Sequence, residues 1–126
     1  MKKSIINTNH APAPIGPYSQ AVMVDNTLYV SGQIAIDPAT GELNIADLET
    51  ETKQVLANLK AVLSAAEMDF SHIVKTGIFL SDMAHFGKVN ELYGGCFEKD
   101  FPARETVAVK TLPKNVNVEI SAIAVK

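Results

Sequence analysis

Arg104 follows Phe101-Pro102-Ala103 at the start of a β-prone run. The proline fixes the direction of the chain, and arginine presents a planar fork that takes a carboxylate through two parallel hydrogen bonds. An arginine there can equally be a plain surface residue or the partner of a nearby acid. Glu119 interrupts an alternating apolar run near the C-terminus, where a carboxylate must be paired, solvated or held in a pocket. It could face water or bridge to Lys110 across a hairpin. If Arg104 and Glu119 lie on neighbouring strands around one cleft, one can hold a substrate anion while the other orients a water. Ser31-Gly32-Gln33 ends another β-prone run, and its glycine either lets a ligand approach the backbone or marks a β-bulge. Tyr18, after Gly16-Pro17, either lays its ring over a small substrate or closes a proline-rich arm.

Other chemistries find less support. His10, His72 and His85 are scattered, and no His-x-x-x-His, Cys-x-x-Cys or acidic cluster gathers metal ligands, so no metal site is expected. Cys96 falls on an apolar helical stripe and reads as a small packed hydrophobe. Gly94-Gly95 lies inside a helical pattern and matches no phosphate-binding loop. Basic residues are dispersed without aromatic interleaving, and the net charge is −3, which argues against a nucleic-acid partner.

The elements that must position these residues can be read from periodicity. The chain has 126 residues, the length of one domain spanning 1–126, with 47% hydrophobic and 20% charged residues. That composition builds an aliphatic core without disulfides or a structural metal. No stretch is long and apolar enough for a membrane span, so no membrane partner is expected. The N-terminus is too polar for a signal-peptide core, and the lone cysteine suits a reducing compartment, so a cytoplasmic location is expected. Residues 9–18 hold three of the six prolines and read as an extended, irregular arm. Ala21–Val24 and Thr27–Ser31 read as a hairpin around Asp25-Asn26. From Asp47 to about Met68, Val55, Leu56, Leu59, Val62, Leu63 and Ala66 follow helical spacing, with Lys53, Asn58 and Lys60 opposite. Ile73–Leu80 reads as a strand. A second helix capped by Ser81-Asp82 carries Phe86, Val89, Tyr93, Cys96 and Phe97 on its apolar face. Glu105–Leu112 and Asn115–Val125 alternate as strands. The order β-β-α-β-α-β-β predicts an α+β fold, a mainly antiparallel sheet with both helices on one face. Along the last strand, one face is apolar and the other, Asn117, Glu119, Ser121, Ile123 and Val125, is mixed, which predicts self-association.

Several stretches together resemble one family. Ile15-Gly16-Pro17-Tyr18-Ser19-Gln20, Val30-Ser31-Gly32-Gln33-Ile34, Val74-Lys75-Thr76, Pro102-Ala103-Arg104, Val107, Leu112-Pro113-Lys114 and Val118-Glu119-Ile120 look like the Rid/YjgF family of reactive imine/enamine deaminases. The resemblance covers essentially the whole chain and keeps the order of its motifs. It implies a chorismate-mutase-like fold and a homotrimer whose sheets face a central barrel, with three clefts between subunits. It also implies hydrolysis of 2-imino and 2-enamino acids, such as 2-aminoacrylate, to 2-keto acids and ammonia without metal or organic cofactor. By position, Arg104 would clamp the substrate carboxylate and Glu119 would hold the attacking water. Tyr18, Ser31, Gly32, Asn90 and Thr106 would line the cleft. One departure stands out. Archetypal members carry a small residue after the arginine, where this chain has Glu105. Strand alternation predicts that Glu105 points away from Arg104, to the opposite face of the sheet. A carboxylate there also motivates an alternative, a regulator that binds 2-keto acids in the same cleft without turnover.

Overall fold

A computed structural model describes residues 1–126. Six strands, β1 (Lys3–Ile6), β2 (Ala21–Val24), β3 (Thr27–Gln33), β4 (Ile73–Leu80), β5 (Ala103–Ala108) and β6 (Val118–Val125), form one sheet in the order β1-β2-β3-β6-β4-β5. Two helices, α1 (Leu48–Ala65) and α2 (Phe86–Gly94), cover one face. Every neighbouring pair is antiparallel except β4 and β5, which run parallel with α2 as the crossover that parallel strands require. No helix is long and apolar enough to cross a membrane.

Two features of the sheet were not visible as periodicity. β1 is an added edge strand, too short and exposed to show an alternating pattern, paired with β2 from Lys3↔Val24 to Ile6↔Ala21. The last two strands do not form a hairpin. The chain leaves edge strand β5, passes through a 3-10 turn at Pro113–Asn115 with Lys114 and Asn115 at positive φ, and inserts β6 between β3 and β4. Glu119 therefore stands beside Phe79 of β4 and has no bridge to Lys110. Alternation along β6 holds as read: Val118, Ile120, Ala122 and Ala124 are buried under the helices, while Glu119, Ser121 and Ile123 are half-buried on the uncovered face.

Helix α1 begins where Asp47 caps it, its carboxylate accepting from the Thr50 N–H at 2.7 Å. Those Thr50 hydrogen bonds hold the Asp47 carboxyl below the ordinary carboxylate value. Val55, Leu59, Val62 and Leu63 are fully buried against the sheet. Asn58, expected on the outer side of the helix, is buried instead, and its amide donates to the carbonyls of Ile34 and Ile36 at 3.0 and 2.9 Å. Glu51, whose place in the first turn suits the helix dipole, is also fully buried. Its carboxylate accepts from the N–H groups of Asn117 and Val118 and from the Asn117 amide, at 2.7, 3.0 and 2.8 Å. Helix α1 thus fixes both the loop after β3 and the entry to β6. Helix α2 stops at Gly94, but the turn that follows keeps Phe97 on the same stripe, packed on Tyr93 with ring centroids 5.0 Å apart. Burial raises the Cys96 thiol pKa, and its Sγ lies 3.9 Å from the Leu92 carbonyl, in keeping with a packed, unreactive cysteine.

Candidate active site

The expected site residues fall into two groups. The first surrounds Glu119. Between Val30 and Gln33 the register of β3 slips against β6, so that Ser31 and Gly32 together stand opposite Ser121. The glycine is thus both the bulge and the close approach that the sequence left open. A Cβ built on Gly32 would lie 2.7 Å from the Glu119 Cδ and 3.0 Å from its Cγ, so only glycine leaves this carboxylate room. The Ser31 hydroxyl donates to the Ser19 carbonyl at 2.6 Å, and the Ser31 N–H donates to the Gln20 carbonyl at 3.0 Å. These bonds strap the proline arm to the bulge. Gln20, buried, completes the strap by donating to the carbonyls of Thr8, Ala11 and Pro12. The arm then turns Tyr18 back on itself, its hydroxyl accepting from the Ile15 N–H at 3.1 Å, while its ring stays half exposed. The result is a cleft of about 430 Å³ walled by Tyr18, Ser31, Gly32 and Glu119, with Ile15, Ile34 and Pro113. Partial burial in this cleft raises the Glu119 pKa above the ordinary value of 4.5, and no hydrogen-bond donor of the chain offsets it.

The second group surrounds Arg104. Its Nη1 donates to Asn90 Oδ1 at 2.6 Å, and its guanidinium carbon lies 5.2 Å from the Tyr93 ring centroid and 5.6 Å from that of Phe86. Phe86, Asn90 and Tyr93 stand at i, i+4 and i+7 of α2, one face of the helix. A cleft of about 470 Å³ opens here, lined by Asn90, Tyr93, Gly94, Phe101, Pro102 and Arg104. Thr106, two residues on, shares the Arg104 face of β5 but lines neither cleft, and its buried hydroxyl has no partner within the chain. Glu105 points the other way, as alternation predicts, and pairs with Lys75 at 3.3 Å on the uncovered face.

Within one chain the two groups do not meet. Strand β4 separates β5 from β6, and Arg104 lies on the helix side of the sheet while Glu119 lies on the uncovered side. The neighbouring-strand arrangement that would join them in a single cleft is therefore absent. What each half offers is clear: a fixed cation with free N–H groups in one, and a half-desolvated carboxylate beside a backbone bulge in the other. No group of three His, Cys, Asp or Glu side chains is placed to hold a metal ion. The Phe86 and Tyr93 shelf under Arg104 was missed because both positions read as core. Their spacing with Asn90 was the available signal.

Sheet order, helix placement and cleft positions define a chorismate-mutase-like α+β protein with a cleft on each side of its sheet. Structures of very similar shape include the Rid family protein YyfA from Yersinia pestis (48% identity, TM-score 0.96, covering 99% of this chain and 100% of that one). Another is TdcF from E. coli with bound serine (40% identity, TM-score 0.93, 98% of each chain). Among sequences, the mouse 2-iminobutanoate/2-iminopropanoate deaminase is 49% identical over 124 residues, 98% of this chain and 92% of that protein. The profile of the family described as Endoribonuclease L-PSP matches residues 8–126, and the chain belongs to this family, which is the Rid/YjgF family.

Proposed function

We propose that the protein hydrolyses 2-imino and 2-enamino acids to 2-keto acids and ammonia, without metal or organic cofactor, at clefts formed between subunits of a homotrimer. One observation carries the reading. The cation and the carboxylate that this hydrolysis needs lie on opposite sides of one sheet, so a second copy must bring its Arg104 to the Glu119 cleft of the first. The uncovered sheet face supplies the surface for that contact. Ile5, Val22, Tyr29 and Ile123 form one row across four strands, and Phe79 and Val107 extend the apolar area. Close to half of the Tyr29 and Val107 surfaces is open to solvent in the single chain.

The chemistry follows from the groups present. Arg104 takes the substrate carboxylate in its fork, with Asn90 holding one arm of the guanidinium. The imine carbon is already electrophilic. Glu119, as carboxylate, accepts a proton from water as the water oxygen bonds to that carbon. It hands that proton to nitrogen to give the carbinolamine. It then takes the proton of the new hydroxyl and passes it to the same nitrogen, so that the C–N bond breaks, the C=O bond of the keto acid forms and ammonia leaves. Tyr18 and the Ser31-Gly32 bulge wall the reacting carbon. Placement of one water against one bound anion supplies most of the rate enhancement. Two relatives support the substrate class. The mouse protein carries the deaminase name, and TdcF holds serine, whose carboxylate and nitrogen are borne by one carbon as in a 2-imino acid. Glu105, which would favour a sensing role if it crowded Arg104, is occupied by Lys75 on the other face. RNA is no part of this reading, since the net charge is −3.

The test is keto-acid release from serine or threonine in the presence of a dehydratase that generates the enamine. The wild type should accelerate release, and Arg104→Ala should lose that acceleration by roughly 100-fold or more, as expected when a charge-assisted anchor is removed. Turnover like that of the wild type in Arg104→Ala would reject the assignment.

A further inference from the structure

The deaminase reading requires Arg104 to point its fork in one direction, yet Arg104 is exposed on an edge strand and forms no ion pair within the chain. The Asn90 hydrogen bond holds one arm of the guanidinium but does not by itself fix the plane of the fork, and an exposed arginine must lose that remaining freedom before it binds an anion. We propose that Tyr93 is a positioning residue for Arg104, its ring serving as a fixed shelf on which the guanidinium lies, so that the cation is aimed before the substrate carboxylate arrives. The inference rests on the proposed role of Arg104 and adds the group that makes that role effective.

Three observations support it. The guanidinium carbon is 5.2 Å from the Tyr93 centroid, within the range where the ring's electron-rich face attracts a cation. The ring itself cannot swing away. It is 4% exposed, packed against Phe97, and its hydroxyl is 2.8 Å from the Thr76 hydroxyl. Thr76 is the residue of β4 paired in register with Arg104, so the strand that carries the arginine and the strand that anchors its shelf are locked together. Burial also raises the phenol pKa above its ordinary value of 10.0, which keeps the ring neutral at working pH. Stacking occupies the flat face of the guanidinium and leaves its edge N–H groups for a carboxylate.

The experiment compares wild type, Tyr93→Leu and Tyr93→Phe, each alone and with Arg104→Ala. Binding of 2-oxobutyrate, used as the carboxylate probe, is read by calorimetry beside keto-acid release and thermal melting. Tyr93→Leu should weaken 2-oxobutyrate and raise KM by about 3- to 20-fold, with a smaller change in kcat, the range expected for loss of one cation–aromatic contact. Tyr93→Phe should keep the binding constant within about twofold, because the ring remains, yet melt lower because the buried Thr76 hydroxyl loses its partner. In the Arg104→Ala background Tyr93→Leu should have no further effect on binding. The inference is overturned if Tyr93→Leu binds the probe as the wild type does, if Tyr93→Phe weakens it equally, or if the loss persists without Arg104. It is overturned as well if the wild type does not bind the probe. If the wild type binds 2-oxobutyrate through Tyr93 and Arg104 but does not speed keto-acid release, the shelf stands and the deaminase reading alone falls.

Discussion

At the scale of single residues, the proposed chemistry on the Glu119 side turns on Glu119 and Gly32, because the absent side chain of one leaves the space that the carboxylate of the other fills. A side chain on Gly32 would occupy the space of the carboxylate, and the carboxylate is the movable partner. Gly32→Ala should therefore fold normally but push Glu119 aside. Keto-acid release should fall by about 10- to 100-fold, as a misplacement near 1 Å would cause, with the melting temperature little changed. Activity like that of the wild type would show that the carboxylate's present position is not the working one. Burial raises the Glu119 pKa, so the folded chain holds a proton where the unfolded chain has lost it. Stability from this group therefore falls as pH rises from the ordinary value of 4.5 through the raised one. The clearest background is Arg104→Ala, where no partner guanidinium offsets the burial. There, adding Glu119→Gln should raise the melting temperature at neutral pH, and the gap should close as the pH drops below 4.5. A gap that is absent, or reversed, at neutral pH would mean the carboxylate is well solvated.

At the scale of elements, the entry to β6 depends on one buried carboxylate from α1. Glu51 satisfies the N–H groups of Asn117 and Val118 where the chain starts its central strand, and these donors have no substitute if the acid is removed. Glu51→Ala should destabilise the protein by about 3 kcal/mol or more, the cost of leaving buried donors unpaired. Urea unfolding checks this, and a loss below about 1 kcal/mol would mean that water replaces the carboxylate. Little of this dependence was legible in the sequence, where Glu51 looks like an ordinary first-turn acid. Asn58 was misplaced on the outer side of the helix, since its polar type outweighed its i+3 spacing from Val55, and an amide gives no sign of the carbonyls it will meet. The helices themselves were legible, because the 3.6-residue recurrence from Val55 to Leu63 and from Phe86 to Tyr93 is a local property. The pairing of β5 was not. Alternation states that a segment is extended but says nothing about its neighbour, and a short connection through Pro113 reads as a hairpin.

At the scale of the whole molecule, the proposed reaction needs the uncovered sheet face to pack against a second copy and so join the two half-sites. An acidic residue in the centre of that face should separate the copies. Ile123→Asp is expected to run as a monomer of 13.5 kDa by light scattering and to lose keto-acid release by on the order of 100-fold, though Arg104 and Glu119 are both intact. A fully active monomer would end the inter-subunit proposal. Local patterning alone places Arg104 after its proline, Glu119 on the mixed face of the last strand, the glycine at the end of β3, and Glu105 turned away. All of these follow from local geometry, since alternation, a fixed proline φ and helical spacing act over a few residues. Long-range packing sets the rest: β6 lies between β3 and β4, its carboxylate meets the Gly32 bulge, and Arg104 rests on α2 on the far side of the sheet. Strand order is set by which buried faces and backbone donors find partners across long stretches of chain, through groups such as Glu51 and Gln20, and no periodicity records those partners.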